Sequence, residues 1–223
     1  MTPVYTIDLP PMPDSYLTIS TAGEAEFVEK RSRFISFAAH IETEEEAKSF
    51  VATIRKRYYD ARHVCYAYVL GADVWTEDYD PIARGTAVMR ANDDGEPGGS
   101  AGKPILGQLR SRGITNAVVA VVRYFGGVKL GTGGLAVAYK TGAALALDEA
   151  TIEEGILMSQ LVAEVPYTEQ DAALRIVRES GAEITARDYT ATSVILHISI
   201  RQTLLDGLRT RLEKIYTITF HEK

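Results

Sequence analysis

The chain has 223 residues, with 24 basic and 30 acidic side chains and a formal net charge of −6. At ~100–200 residues per domain this is one large domain or two small ones, and 46% hydrophobic with 24% charged residues excludes a disordered, collagenous or coiled-coil chain. A lone Cys65 without a Cys/His cluster leaves no internal disulfide and no zinc site. Apolar runs such as residues 117–122 fall far short of the ~20 residues of a membrane span, and MTPVYTIDLPPMPDSY has neither the basic nor the apolar region of a secretory signal, so a cytoplasmic protein without membrane attachment is expected.

The first 15 residues hold four of the eight prolines, which predicts an extended arm, because proline fixes φ and removes a backbone donor. Residues 16–20 and 33–41 have strand composition, and the polar stretch 26–31 between them is undetermined. Thr43 with Glu46 fits a capping box, and Ala47, Phe50, Val51, Ile54 and Tyr58 recur at helical spacing, which predicts a helix over 44–58 with one buried stripe. Residues 63–70 (HVCYAYVL) read as a strand, 71–84 as a loop, 86–91 as a short strand and 101–112 as a short helix. The nearly continuous apolar run 116–125 predicts a strand buried on both faces, and the alanine-rich 134–149 a helix. Residues 150–155 make a plausible joint. Beyond it strand 157–167, helix 169–180, a hairpin of 183–189 with 193–200, helix 202–215 and strand 216–221 give βαββαβ, the ferredoxin-like order.

The acids are unevenly placed. Between Glu96 and Asp148 there is none, where proportion would place about seven. The same stretch carries Lys103, Arg110, Arg112, Arg123, Lys129 and Lys140, and 11 of the 18 glycines. An acidic protein thus contains one long basic, glycine-rich segment, the natural place to look for an anionic partner.

Four motifs fall in or near it. GGSAG at 98–102 matches the nucleophile elbow with Ser100, but a turn rather than a strand precedes it, and a tight loop of small residues explains it. Gly131-x-Gly133-x-x-Ala136 follows a buried strand and opens a helix as a dinucleotide fingerprint does, but the acid that must end a second strand is missing. What survives is an anion site: Gly126, Gly127, Gly131, Gly133 and Gly134 ahead of a helix N-terminus, with Arg123 and Lys129 beside them. NDDGEP at 92–97 is either a metal or basic-partner clamp, or a turn in which Asp93 and Asp94 satisfy loop N–H groups and pair with Arg90 or Lys103; without EF-hand spacing the turn is favoured. His63 stands at a strand entry, as a general base or as a satisfied edge residue, with Cys65 on the same face as core. Tyr66, Tyr68, Tyr124 and Phe125 fit core packing better than base stacking.

FVEKRSRFI, DARHVCYAYVLG, NDDGEPGGSAGKPIL and NAVVAVVRYFGGVKLGTGGLAVAY, in order across residues 16–150, resemble the successive motifs of the IMPACT family. The resemblance implies an α+β chain of two domains: a ribosomal protein S5 domain 2-like domain over 16–150 after the arm 1–15, and a ferredoxin-like domain over 156–223 as appended in bacterial members. These folds also occur adjacently in translocase-type elongation factors, and the eukaryotic relative is a translational regulator that interferes with activation of a stress kinase acting on initiation. The family offers no proven catalytic residue, so only motif positions carry over: Arg90, Asp93, Asp94, Glu96, Arg123, Gly126, Gly127, Gly131, Gly133 and Gly134. Two departures stand out. Asn92 replaces the usual serine, and LAVAYK puts Val137 where the family commonly has arginine and Lys140 where it has serine.

The expectation is a non-catalytic translation-associated factor, with no cofactor, that binds RNA or a ribosome-associated protein through Arg110, Arg112, Arg123, Lys129 and Lys140. The alternative is an enzyme or sensor for a small phosphorylated ligand held at the glycine loop, beside Asp93, Asp94 and Glu96.

Overall fold

The computed structural model describes residues 14–71 and 88–221; the proline-rich arm up to residue 13 and loop positions 72–84 lie outside them. The chain divides into two compact units. Tyr16–Gly155 form one, and Ile156–Lys223 the other together with the segment that ends at Ser15. This is the two-domain α+β plan that the resemblance implies. Among the described residues no helix is long and apolar enough to cross a membrane.

In the first unit, β1 (Ser15–Thr21) pairs with β7 (Thr151–Ile156) as a separate ribbon. The residues expected to be only a joint therefore form a strand. The main sheet runs β2 (Gly23–Glu29), β3 (Ser32–His40), β6 (Ala117–Tyr124), β4 (His63–Leu70), β5 (Val88–Asn92). Both β3 and β4 run antiparallel to β6 between them, so they are mutually parallel. The stretch 26–31, undetermined in sequence, lies mostly in edge strand β2. There Ala25 and Phe27 point inward while Glu24 and Glu26 face solvent, a half-buried alternation too short to be decisive by itself.

Strand β6 explains the layering. Ala117, Val119 and Val121 pack with α2 (Gly102–Ser111) and α3 (Gly131–Glu149) on one face. Val118, Ala120 and Val122 pack with α1 (Glu44–Arg57) on the other. All six are fully buried, and each buried valine side chain contributes ~1.5–3 kcal/mol relative to exposure. A continuous apolar run is what a strand covered on both faces requires. Helix α1 begins at the expected cap, with the Glu46 N–H donating to Thr43 Oγ1 at 3.1 Å; the Glu46 carboxylate accepts from the Glu42 N–H at 2.6 Å, one residue outside the usual box.

Helix α3 starts at Gly131, three residues earlier than its alanine-rich composition suggests. Glycines 131, 133 and 134 thus lie in the first turn rather than ahead of it, where few intrahelical bonds depend on them. Gly131 has φ +73°, a conformation that a side chain would strain. Gly126 is required for another reason: a Cβ there would lie 1.9 Å from the Arg31 carbonyl oxygen.

The second unit has sheet order β11 (Thr219–His221), β8 (Met158–Pro166), β10 (Ser193–Arg201), β9 (Glu183–Tyr189), all antiparallel. Helices α4 (Gln170–Glu179) and α5 (Leu205–Leu212) contribute Ala173, Val177, Leu208 and Leu212 to one core with Ala163, Leu196 and Ile198. Strand order 4-1-3-2 within this unit is the ferredoxin-like arrangement. Helix α5 is shorter than expected, because residues 202–204 form a 3-10 turn and the α-helix ends at Leu212. Asp14 is buried at the edge of this unit, accepting from the Thr203 hydroxyl and lying 3.3 Å from Arg201.

The turn after β5 is organised by Asp93. Its carboxylate accepts from the backbone N–H groups of Gly99 (2.8 Å), Ala101 (2.9 Å) and Gly102 (2.8 Å), so it caps the start of α2. Burial pushes this carboxyl up, but the three N–H donors and the charge of Lys103 outweigh it, and the net shift is downward. Asp93→Ala is expected to cost about 2–4 kcal/mol in chemical denaturation, since hydrogen bonds to a charged group are the strong ones. Because the folded carboxyl titrates below its unfolded value, its stabilisation is complete above the unfolded pKa near ~3.9 and is lost as pH falls through the folded one. The alanine variant therefore loses part of the wild-type dependence of stability on pH below about 4.

Cys65 is fully buried on the face of β4 that α2 and α3 cover, and burial pushes its thiol up to about 12. At pH 8 the native protein is expected to leave a thiol reagent unreacted, while guanidinium-unfolded protein titrates one thiol per chain.

Candidate functional site

The turn at 93–97 and the loop at 126–134 converge. Glu96 and Pro97 from the first, and Lys129, Leu130, Gly131 and Thr132 from the second, line one cleft of about 360 Å³, with Arg62, His63, Arg123, Phe125 and Leu135 completing it. Strand β4 brings Arg62 and His63 to one wall, the end of β6 brings Arg123 and Phe125, and α3 supplies its N-terminus.

The floor is a buried ion pair. Arg123 Nη1 lies 2.6 Å from Glu96 Oε1, with the two side chains 7% and 4% exposed. The same oxygen accepts from the Tyr139 hydroxyl at 2.8 Å. Burial, together with neighbouring Cys65 and Glu96, pushes that phenol far up, so it remains a donor. The Arg123 guanidinium lies over the rings of Phe34 (5.7 Å) and Phe125 (5.6 Å), and its Nη2 reaches Ser32 Oγ at 3.4 Å. Its Nε is buried without a hydrogen-bond partner. Arg123 is therefore held inside the wall of the cleft, and most of its charge is answered by Glu96.

His63 is fixed by its Nδ1, 2.7 Å from the Asp94 carbonyl oxygen. A carbonyl only accepts, so Nδ1 carries the proton. That directs Nε2 to Glu96 Oε1 at 3.8 Å. The side chain of Asp94 accepts from the Val64 N–H at 2.6 Å and pairs with Arg55 of α1 at 2.6 Å. Asn92 Oδ1 accepts the Asp94 N–H at 2.8 Å, and Asp94 has φ +43°. The two aspartates are thus the hydrogen-bonded turn that the sequence favoured, with Arg55 in place of Arg90 as partner of Asp94. Among the described residues no group of His, Cys, Asp and Glu could hold a metal ion. Ser100 is 4% exposed and donates to the Pro97 carbonyl at 2.6 Å, a loop role in place of the nucleophile of an elbow.

The start of α3 is open. Leu130 occupies the cap position without a side-chain hydrogen bond, and the first turn holds no acid. No side chain of the described residues accepts from the first N–H groups of this 19-residue helix, whose partial positive end faces the cleft, with exposed Lys129 and Arg62 at its rim. The other cations expected to act with them are elsewhere. Arg112 pairs with Asp148 at 2.7 Å and donates to the Ala144 carbonyl at 3.2 Å. Arg110, Lys140, Arg90 and Lys103 are exposed but do not line the cleft. Gly126 and Gly127 shape the loop behind it, and Gly133 and Gly134 line a different concavity. Val137, at the position where the resemblance leads one to expect arginine, is 65% exposed and lines that second concavity, so its identity takes no charge from the cleft.

Two participants were not marked by the sequence. Tyr139 lies within the alanine-rich run of α3 and Arg62 directly before His63, and neither belongs to a motif of its own. The one sequence signal for Tyr139 is its lone polar atom within the apolar stripe of α3, which needs a buried acceptor.

The motif segments that build this cleft are also those matched by known proteins. The model of the Impact N-terminal domain matches residues 30–147. The IMPACT family member YvyE of Bacillus subtilis is 40% identical over 154 residues, 69% of this chain and 65% of its own. YigZ of Escherichia coli is 36% identical over 171 residues, 77% of this chain and 78% of its own. A crystal structure of a hypothetical protein superposes with TM-score 0.67 at 30% identity, over 95% of this chain and 98% of that one. With the family domain spanning both the 93–97 turn and the glycine loop, the chain belongs to the IMPACT family.

Proposed function

We propose that the protein is a binding module in the regulation of translation, and that it takes a phosphate of single-stranded RNA at the open N-terminus of α3. The translational context is supported by the family, whose eukaryotic member is a translational regulator. The observation that carries the anion is the convergence of the 93–97 turn and the 126–134 loop on one cleft, with uncapped helix N–H groups between Lys129 and Arg62. Phe125, expected in the core, is instead 45% exposed on the same wall, and offers a ring for one base.

The electrostatic footprint is smaller than a count of basic residues suggests. With Arg123 and Arg112 held in internal ion pairs, Lys129 and Arg62 are the rim cations left for phosphates. Two contacts to a single strand predict a log–log salt slope of about −1.4. Fluorescence anisotropy with a labelled single-stranded RNA between 50 and 300 mM salt measures it, with a loss of about twelvefold expected at that slope. Lys129→Glu and Arg62→Glu are expected to weaken binding at low salt at least tenfold, about 1.4 kcal/mol, and Arg110→Glu to leave it within twofold. Unchanged binding by Lys129→Glu sinks the assignment.

A second reading has one observation in its favour: about 360 Å³ walled partly by Phe125, Leu130 and Leu135 is the size of a small-molecule site. A phosphorylated small molecule at a hundred times its Kd stabilises the fold by ~2.7 kcal/mol, so thermal shifts across a nucleotide panel separate it from a site that needs a polymer.

Arg123 has a different signature from the rim cations. Arg123→Met leaves Glu96 buried without its counter-charge, and breaking such a pair costs about 3–5 kcal/mol. The variant is expected to lower the melting temperature markedly, where Lys129→Glu leaves it nearly unchanged.

A further inference from the structure

A second concavity, of about 350 Å³, lies between edge strand β2 and α3 and shares only Leu130 with the cleft among the residues lining the two. Its surface is made by Phe27, Leu130, Val137 and Ala138, with the small residues Gly133 and Gly134 keeping it open. Val137 is 65% exposed, a large apolar side chain in mid-helix with no cover. The floor at Leu130, Val137 and Ala138 is apolar, whereas Glu29, Lys30 and Thr141 make the walls polar. Lys30 stands on its wall, and exposed Lys140 lies on the same helix, which has no acid before Asp148. Glu29 is the one carboxylate on the wall.

Lys30 and Arg31 form the two-residue turn that joins β2 to β3, at φ 45° and 66°. A turn of this shape favours Asn-Gly, because side chains crowd the backbone at positive φ. Two cations held there against local preference point to a role outside the fold. Both are exposed, and neither makes an ion pair among the described residues. Gly126 fits against the backbone of Arg31, which fixes the tip beside α3.

An apolar floor that no described residue covers, with three exposed cations (Lys30, Arg31 and Lys140) around it against the single carboxylate of Glu29, complements an acidic amphipathic segment. RNA fits it poorly, since Phe27 is stacked on Phe34 at 5.0 Å and the exposed floor is aliphatic, with no free ring for a base. We propose that this groove docks an acidic segment of a partner protein, which inserts one leucine or aromatic side chain between β2 and α3 while its carboxylates meet Lys30, Arg31 and Lys140. The surface is independent of the phosphate cleft, and the failure of either leaves the other standing.

The test is selection of displayed acidic 16-residue peptides carrying one leucine or aromatic anchor, on the full chain, followed by anisotropy with the purified labelled peptides. Two variants serve as references. Val137→Glu places a good helix former at an exposed helical site and puts a charge on the floor. Lys30→Asn/Arg31→Gly removes both cations and relaxes the turn. Selected peptides are expected to bind at least tenfold more weakly to Val137→Glu. They should also weaken severalfold on Lys30→Asn/Arg31→Gly while the melting temperature of that variant rises, a combination that damage to the fold does not produce. Three outcomes overturn the proposal: no acidic anchored peptide enriched over its scrambled-charge controls, equal binding to wild type and Val137→Glu, or displacement of bound peptide by a single-stranded RNA in wild type and in Lys129→Glu alike.

Discussion

The ion pair between Glu96 and Arg123 governs the architecture of the first unit. It joins the turn after β5 to the end of β6, and through Tyr139 it joins both to α3. Removing two charges from water costs several kcal/mol per ion, so a buried pair of this kind adds little net stability. Its effect is on geometry. Any arrangement that separates the two leaves an uncompensated charge in the interior, so alternative placements of the 93–97 turn are excluded. The shape of the cleft follows, because the same pair forms its floor.

That pair also changes the meaning of the charge pattern. The segment between Glu96 and Asp148 contains no acid, yet the two acids that bound it fold back onto it. Glu96 answers Arg123, and Asp148 answers Arg112. A gap in a linear sequence is therefore not a gap in space. Of the cations in that segment that stay exposed, Lys129 alone is on the rim of the cleft, where Arg62 from another part of the chain joins it beside the start of α3. The proposed anion site is therefore small, suited to one or two phosphates more than to a long polyanion.

Much of the fold was legible because its signals are local. The Thr43–Glu46 cap, the apolar run of β6 and the HVCYAYVL strand each carry their pattern within ten residues. β2 and β7 were hidden for the opposite reason. β2 is a polar edge strand whose inward residues are Gly23, Ala25 and Phe27, and β7 takes its strand form from pairing with β1, some 130 residues away in sequence, as in the bond from Ser20 Oγ to the Thr151 carbonyl. The site divides the same way. Asp93 and Asp94 were readable as turn-makers from their neighbours, whereas the partners Arg55 and Tyr139 come from distant elements and leave no mark in a sequence window.

The starts of three helices in the first unit show what the sequence does when a helix end is only structural. Helix α1 is closed by Thr43, and α2 by the carboxylate of Asp93 acting from the preceding turn. Helix α3, the longest of them at 19 residues, begins instead with Leu130 and a first turn of glycine and threonine, with no side chain of the described residues on its N–H groups. A serine or aspartate at the cap would stabilise it by about 1 kcal/mol. Such a side chain would also occupy the donors that face the cleft, between the two rim cations. The open end is consistent with donors reserved for an anion from outside the chain, and the neighbouring glycines let that anion approach the backbone.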